Sequence, residues 1–430
     1  MSTSPGGTPP GPWPGGWPPS NPQQSNQPQQ PPWPPSPSWP GQQGPYPPSG
    51  PSFRPASNGN YPPPGPASQN PSVPAYPPSG SYQPGWGTPG WHAPGTPSFP
   101  TAPPPKPWLP VVETGYAGFW RTPRWNPWRV VLAVPVGLMA TFMLSMLLIG
   151  LAIVVDDITG RVPLADAVSN LANGRGITPV VFIANNLALA GFIPIAMLVS
   201  VAIFGQPVRW LTSVTGHLRW RWLGVCFAVL VPIWLVLAVL EFSGTAGELH
   251  VGRDTGLLIL GILLTTPLQC AGEEFGFRGL ANRTFASILP HEPSGAVLGG
   301  LISSLLFMLA HGAADIWLNI FYFSFGVIAC YLVWVTGGLE ASIAMHVVNN
   351  LVGEATLPFL PDISTMMDRS AGTGSPLSLV QLLAPLLGAV LITLLARRHG
   401  IQRRSAPGRP PWPVAMGVGS AAGPASPGWR

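Results

Sequence analysis

Between residues 130 and 396 the sequence returns repeatedly to apolar runs long enough to cross a bilayer. That property restricts the chain to a helical bundle, because lipid offers no partner to an unpaired backbone amide or carbonyl. A span needs ~20 mostly apolar residues at about 1.5 Å of rise each. Eight segments meet or approach this: Val130 to Val155, Pro179 to Phe204, Trp222 to Leu240, Gly256 to about Leu280, Gly295 to His311, Ile316 to Val335, Gly338 to Val352, and Leu377 to Ala396. The fifth and seventh are short and the fourth carries charges, so about eight transmembrane helices are predicted and seven would also fit. The expected fold class is all-α and polytopic.

Basic residues test this division, because cytoplasmic loops accumulate Lys and Arg. With eight spans, one side receives Lys106, Arg121, Arg124, Arg129, Arg209, Arg219 and Arg221, and then Arg397, Arg398, Arg403, Arg404 and Arg409. The other keeps Arg161, Arg175, Arg253 and Arg369 among most of the acids, Asp156, Asp157, Asp166, Glu241, Glu248, Asp254, Glu354, Asp362 and Asp368. The asymmetry predicts a cell-membrane protein with both termini cytoplasmic. Trp125, Trp128, Trp210, Trp220 and Trp222 fall at span ends, where interfacial aromatics belong. The net charge of +5 does not indicate nucleic acid, since the basic residues form no stripe with interleaved aromatics. Cys226, Cys270 and Cys330 each sit in an apolar stretch without a CxxC pair, which argues against disulfides and thiolate metal sites.

Residues 1–110 are different in kind. They hold 38 of the 59 prolines and two charges, Arg54 and Lys106. Units such as Pro31-Pro32-Trp33-Pro34-Pro35 offer no aliphatic pattern to bury, so a disordered, polyproline-biased tail is expected. It lacks the basic and apolar regions of a signal peptide, which leaves targeting to the first membrane helix. A proline-binding partner is one reading of the tail, and a solvated low-complexity extension is the plainer one.

The fourth span contains Ala271-Gly272-Glu273-Glu274-Phe275-Gly276-Phe277-Arg278-Gly279. Ionisable groups inside a span are costly and mark function by default. Glu274 and Arg278 are four apart and share a helix face, so Arg278 is expected to neutralise Glu274 as a structural strut. Glu273, about 100° around the helix, is left to face a polar cavity, where desolvation makes an unpaired carboxylate a better base. An acidic helix end at the membrane surface is the bland alternative. Phe307 and His311 then lie one turn apart at the end of the fifth span, and His346 and Asn350 one turn apart in the seventh. A lone histidine in an apolar helix is usually a satisfied core residue. Two of them, with an asparagine and a glutamate pair on three neighbouring spans, weigh against that.

The succession EExxxR, FxxxH and HxxxN, carried by Glu273-Glu274 with Arg278, Phe307 with His311, and His346 with Asn350, resembles the CAAX prenyl endopeptidase and bacteriocin-processing family (CPBP, or Abi). The resemblance covers about residues 256–353. It implies an eight-helix intramembrane endopeptidase in which Glu273 and His311 activate a water, His346 and Asn350 stabilise the oxyanion, and Glu274 and Arg278 support them. It also leaves zinc open: Glu273, His311 and His346 could supply one Glu and two His donors. The sequence has no HExxH, and Asn350 suits a hydrogen bond better than a metal, which favours a metal-free glutamate mechanism. The expected partners are the bilayer, a peptide or membrane-protein substrate, and a proline-binding partner for the tail.

The chain then divides into a disordered tail (1–110), three N-terminal transmembrane helices (111–255), a CPBP-like catalytic core (256–353), a connection with the last transmembrane helix (354–398), and a basic Pro/Gly-rich tail (399–430). One tension follows from the span boundaries. They place Glu273 ~25 Å from the outer end of the fourth span and His311 ~24 Å from the inner end of the fifth, at different depths. The two meet only if the fourth helix is long, continuing toward Leu289, or if the fifth span is bounded differently. A proton-coupled transporter, with Asn185, Asn186 and Gln269 lining its route, and a non-catalytic scaffold presenting the tail are the competing readings.

Overall fold

The computed structural model describes residues 105–173, 177–245, 249–364 and 368–409. The N-terminal tail up to residue 104, the last residues from 410, Arg175 and Glu248 lie outside the described residues. Eleven α-helices are found among the described residues: α1 (Pro127–Ile158), α2 (Leu164–Ala172), α3 (Pro179–Ala190), α4 (Phe192–Ala202), α5 (Trp220–Thr245), α6 (Thr255–Glu273), α7 (Arg283–Ala286), α8 (Glu292–Ala310), α9 (Ile316–Thr336), α10 (Glu340–Gly353) and α11 (Leu383–Arg398). Short 3-10 turns and two short strands, β1 (Thr114–Gly115) and β2 (Arg404–Ser405), accompany them.

Local signals set the helix starts. Asn126 accepts from the Trp128 amide at 3.3 Å ahead of Pro127, and Thr178 accepts from the Val181 amide at 3.1 Å ahead of Pro179. Asp315 accepts from the Trp317 and Leu318 amides at 2.8 and 3.1 Å. Each side chain satisfies donors that an N-terminus leaves orphaned. α3 and α4 are two halves of one apolar rod, parted at Gly191, because Pro194 has no N–H to give the Ala190 carbonyl. α6 does not stop at Glu273. It widens into a π-wound segment, Glu274–Asn282, and continues as α7, giving one rod from Thr255 to Ala286.

Seven helices among the described residues are long and apolar enough to span a membrane. The segment predicted over 338–352 is present as α10, whose 14 residues reach only ~21 Å. α10 packs against α5, α6, α9 and α11, and every residue from Glu340 to Val348 is buried. It is an internal helix, which lets it carry Glu340, Ser342, His346 and Asn350 without exposing them to acyl chains. The outward faces are the reverse of a soluble protein's: Leu138, Met139, Phe142 and Leu147 of α1, Leu260 and Leu264 of α6, and Leu387 and Val390 of α11 are all exposed. Contiguous apolar surface of this extent belongs against lipid.

β1 pairs antiparallel with β2, Thr114 opposite Ser405 and Gly115 opposite Arg404. The chain before α1 and the chain after α11 therefore meet at one end of the bundle. α10 must count as a passage, short as it is, for the ends to coincide. At that end Arg219 binds Glu340 through Nη2 at 2.6 Å and Nε at 2.9 Å, and donates to the carbonyls of Thr336 and Gln402. The opposite end is tied by Arg161 to Asp254 at 3.3 Å and by the His250 amide to the Phe359 carbonyl at 2.9 Å.

Candidate active site

The π-wound segment places the glutamates. Wider winding rotates successive side chains by less than an α-helix does, and such stretches recur at functional sites. Gly272, just ahead of it, lets the α3 backbone approach: a Cβ there would fall 2.2 Å from the Leu189 carbonyl oxygen. Glu273 lies ~27 Å along the rod from Thr255, with 13 residues still to run before Ala286, so it sits within the rod and not at an end of it. The long fourth helix brings Glu273 to the depth of the end of α8, where His311 is the capping residue.

Glu274 is fully buried and shared. Its Oε1 accepts from Arg278 Nη1 at 2.8 Å and from His346 Nδ1 at 3.0 Å. Arg278, equally buried, also donates to the Gly326 carbonyl at 3.3 Å and stacks on the Phe307 ring, 4.5 Å from its centroid. Because a carboxylate only accepts, Nδ1 of His346 carries the hydrogen, and Nε2 is left facing Glu273 Oε2 at 3.6 Å. Glu273 Oε1 accepts from Gln269 Nε2 at 2.6 Å, while its Oε2 has no hydrogen-bond partner among the described residues. Asn350 Nδ2 donates to Gln269 Oε1 at 3.2 Å, so one amide joins Glu273 to Asn350.

His311 is fixed in the same way. Its Nδ1 donates to the Phe307 carbonyl at 2.7 Å, which leaves Nε2 as the acceptor, and its ring stacks on Tyr322 with centroids 3.8 Å apart. Phe307 sits between the two histidines, 4.6 Å from His311 and 5.7 Å from His346. Their rings are thus no farther apart than those two separations combined. Glu273, His311 and Asn350 line one cavity of about 710 Å³, together with Gln269, Glu354 and Arg369 on the polar side and Leu138, Phe142, Leu306 and Leu309 on the apolar side. His346, only 2% exposed, stands behind Glu273 and does not line it.

The sequence placed Gln269 only on the alternative transport route and Glu354 only among the loop acids. Gln269 is four residues before Glu273 and Glu354 four after Asn350, so the helical spacing that ties the recognised residues assigns both to this site. Tyr322 carries no such signal; its place comes from tertiary packing alone. Among the described residues no group of three His, Cys, Asp or Glu side chains is placed to hold a metal ion, although the Nδ1 bonds of His311 and His346 leave Nε2 of each free.

Residues 255–352 match the family model described as Rce1-like, type II CAAX prenyl endopeptidase. The chain is also 26% identical over 158 residues to the uncharacterized protein YyaK of Bacillus subtilis (strain 168), an alignment that takes in 35% of this chain and 52% of that one. The chain thus spans about half the length of that relative. No solved structure matches it. The three motifs and the glutamates and histidines they position coincide with the matched segment, so residues 255–352 are similar to the Rce1-like, type II CAAX prenyl endopeptidase family, within a chain that has seven helices long and apolar enough to span a membrane among its described residues.

Proposed function

We propose that the chain is an intramembrane endopeptidase that hydrolyses a peptide bond of a membrane-anchored peptide or protein, with Glu273 as the general base. The observation that carries this reading is the Glu273 carboxylate: one oxygen held by Gln269, the other unpartnered among the described residues, at the wall of a cavity shared with His311 and Asn350. A water between Glu273 Oε2 and His311 Nε2 loses its proton to them as its oxygen attacks the scissile carbonyl. The Asn350 amide, which also lines the cavity, donates to the oxygen on which negative charge develops. His346 acts from behind. Fixed by Glu274 through Nδ1, it faces Glu273 Oε2 with its Nε2 at 3.6 Å and orients that carboxylate. Arg278 and Glu274 keep that imidazole in place.

The apolar wall of the cavity suits a substrate with a lipid or helical anchor. The accumulation of Arg at the end where β1 and β2 meet supports a cell-membrane protein with both termini cytoplasmic, and the tail over 1–110 is free in this scheme to recruit a proline-binding partner. Asn185, Asn186 and Gln269 line the same cavity, as a proton-coupled transport route also requires. Purified protein in proteoliposomes separates the two. Cleavage of an internally quenched S-farnesyl peptide ending in a CAAX sequence, with one ¹⁸O from labelled water in the new carboxyl group, is the result expected. PH-dependent flux without any cleavage would replace the protease with the transporter.

A further inference from the structure

The two imidazoles of the site are not held alike. His346 is engaged through both ring nitrogens, Nδ1 donating to Glu274 Oε1 at 3.0 Å and Nε2 facing Glu273 Oε2 at 3.6 Å. His311 has one polar anchor among the described residues, the Nδ1 bond to the Phe307 carbonyl at 2.7 Å. A ring on a single hydrogen bond can pivot about it, and Nε2, across the ring from Nδ1, moves with every tilt. His311 is also the C-cap of α8, and Gly312 at φ +61° turns the chain away, so no further turn of its own helix packs over it. The ring's plane is fixed instead by Tyr322 of α9, stacked on it with centroids 3.8 Å apart and planes 24° apart. Phe307 meets the same ring less closely, at 4.6 Å and tilted by 58°. Around His346 the aromatic neighbours Phe307 and Phe325 stand edge-on, at 75° and 67°, and set no plane.

Tyr322 is itself held. Its hydroxyl oxygen accepts from Arg369 Nε at 3.0 Å, and the Arg369 carbonyl accepts from the Ala314 amide at 2.9 Å. The Gly372 amide donates to Asp315 Oδ2 at 3.0 Å, which docks the same loop on the start of α9. These contacts close a circuit that runs from His311 along the chain to Ala314, across to Arg369, on to Tyr322, and back to His311 through the stack. His311 and Arg369 line both the reaction cavity and a second cavity of about 620 Å³, to which Tyr322 also belongs. We propose that Tyr322, braced by Arg369, is the positioning residue that sets the plane of the His311 ring and so aims its Nε2 at the attacking water. The inference rests on the hydrolytic reading, in which His311 Nε2 and Glu273 Oε2 share that water. A catalytic group has to stay within about 0.5 Å and 10–20° of its productive geometry, and a misplacement of about 1 Å costs on the order of 10²-fold. A ring free to pivot about Nδ1 falls outside that tolerance. Tyrosine suits the task because one end offers a flat face to the imidazole and the other a polar atom for Arg369 to grip.

The test compares Tyr322→Leu, Tyr322→Phe and Arg369→Gln with the native chain in detergent, alongside Glu273→Gln. On the quenched S-farnesyl peptide, Tyr322→Leu should lower kcat by about 10- to 100-fold with KM within about twofold. Tyr322→Phe keeps the stacking face and should recover most of that loss. A substrate-independent readout is the NMR order parameter of the histidine rings in protein carrying labelled histidine, with the His311 signal identified by its absence from His311→Gln. In Tyr322→Leu the His311 ring should become mobile while His346, anchored through its own nitrogens, keeps its native order; Tyr322→Phe should leave both ordered. A merely structural tyrosine would not loosen one imidazole and spare the other. Native kcat in Tyr322→Leu while Glu273→Gln is inactive, a loss that falls on KM, or equal loosening of both rings overturns the positioning role and leaves the protease standing. Should Tyr322→Leu fail to fold, Arg369→Gln decides: partial mobility of His311 with a smaller fall in kcat supports the brace, and native order with native kcat overturns it. Full activity in Glu273→Gln would instead overturn the hydrolytic reading itself.

Discussion

At the scale of single residues, the strut beneath the site is its most demanding feature. Glu274 and Arg278 are both fully buried and 2.8 Å apart, and His346 leans on the same carboxylate oxygen. Removing one member of such a pair leaves a charge with no compensation, at a cost of about 3–5 kcal/mol. Glu274→Gln or Arg278→Met alone should therefore lower the thermal midpoint in detergent sharply, whereas the double variant Glu274→Gln/Arg278→Met should regain most of the stability and none of the activity, because His346 is then unanchored. A double variant as unstable as either single one would show that the pair does not offset its own burial. The partnership of Glu274 with Arg278 is legible in the sequence because an i, i+4 spacing on a helix is a distance. His346 as a third partner is not, since it lies 72 positions away and only packing brings it there.

Elements depend on where backbones approach. Gly272 has the Leu189 carbonyl oxygen where its Cβ would be, so Gly272→Val should push α3 off α6 and cost about 1–3 kcal/mol, the range for overpacking. Activity should fall with it, because Glu273 follows directly. Thermal denaturation in detergent gives the first quantity and peptide cleavage the second. The N-cap of α9 carries a pH signature. The Leu318 amide foremost, and those of Gly372 and Trp317, hold the Asp315 carboxyl below its usual range. A depressed folded-state value means that the stabilisation is present above the ordinary aspartate value of about 4 and is lost as pH falls through the lower folded one. Asp315→Ala should thus lower the midpoint at pH 7, and the gap to the native chain should close on acidification. The spans were legible as elements because apolar length is a local property. The position of Glu273 was legible only as a tension: the bounds Gly256 to Leu280 called for a longer fourth helix, and the rod does run on to Ala286, through a π-wound stretch that no residue count announces. Nor could composition tell that α10, whose apolar content resembles a span's, is surrounded by other helices.

For the molecule as a whole, the pairing of β1 with β2 makes a statement about topology that hydropathy alone left as seven or eight passages. Cysteines replacing Thr114 and Ser405 should label from one face of the membrane, and cysteines replacing Gly160 and Gly252 from the other; labelling of all four from one face would contradict the arrangement. The bundle keeps a polar cavity inside a lipid-facing shell, with an internal helix and a widened one supplying its acids and amides and the end of α8 its imidazole. The most direct test of that account is the rate of peptide cleavage by Glu273→Gln relative to the native protein, both shown to be folded by thermal midpoint. Replacing a positioned general base should cost at least ~10²–10⁴-fold in kcat. Cleavage at the native rate by Glu273→Gln would mean that the carboxylate at the centre of the cavity takes no part in the chemistry.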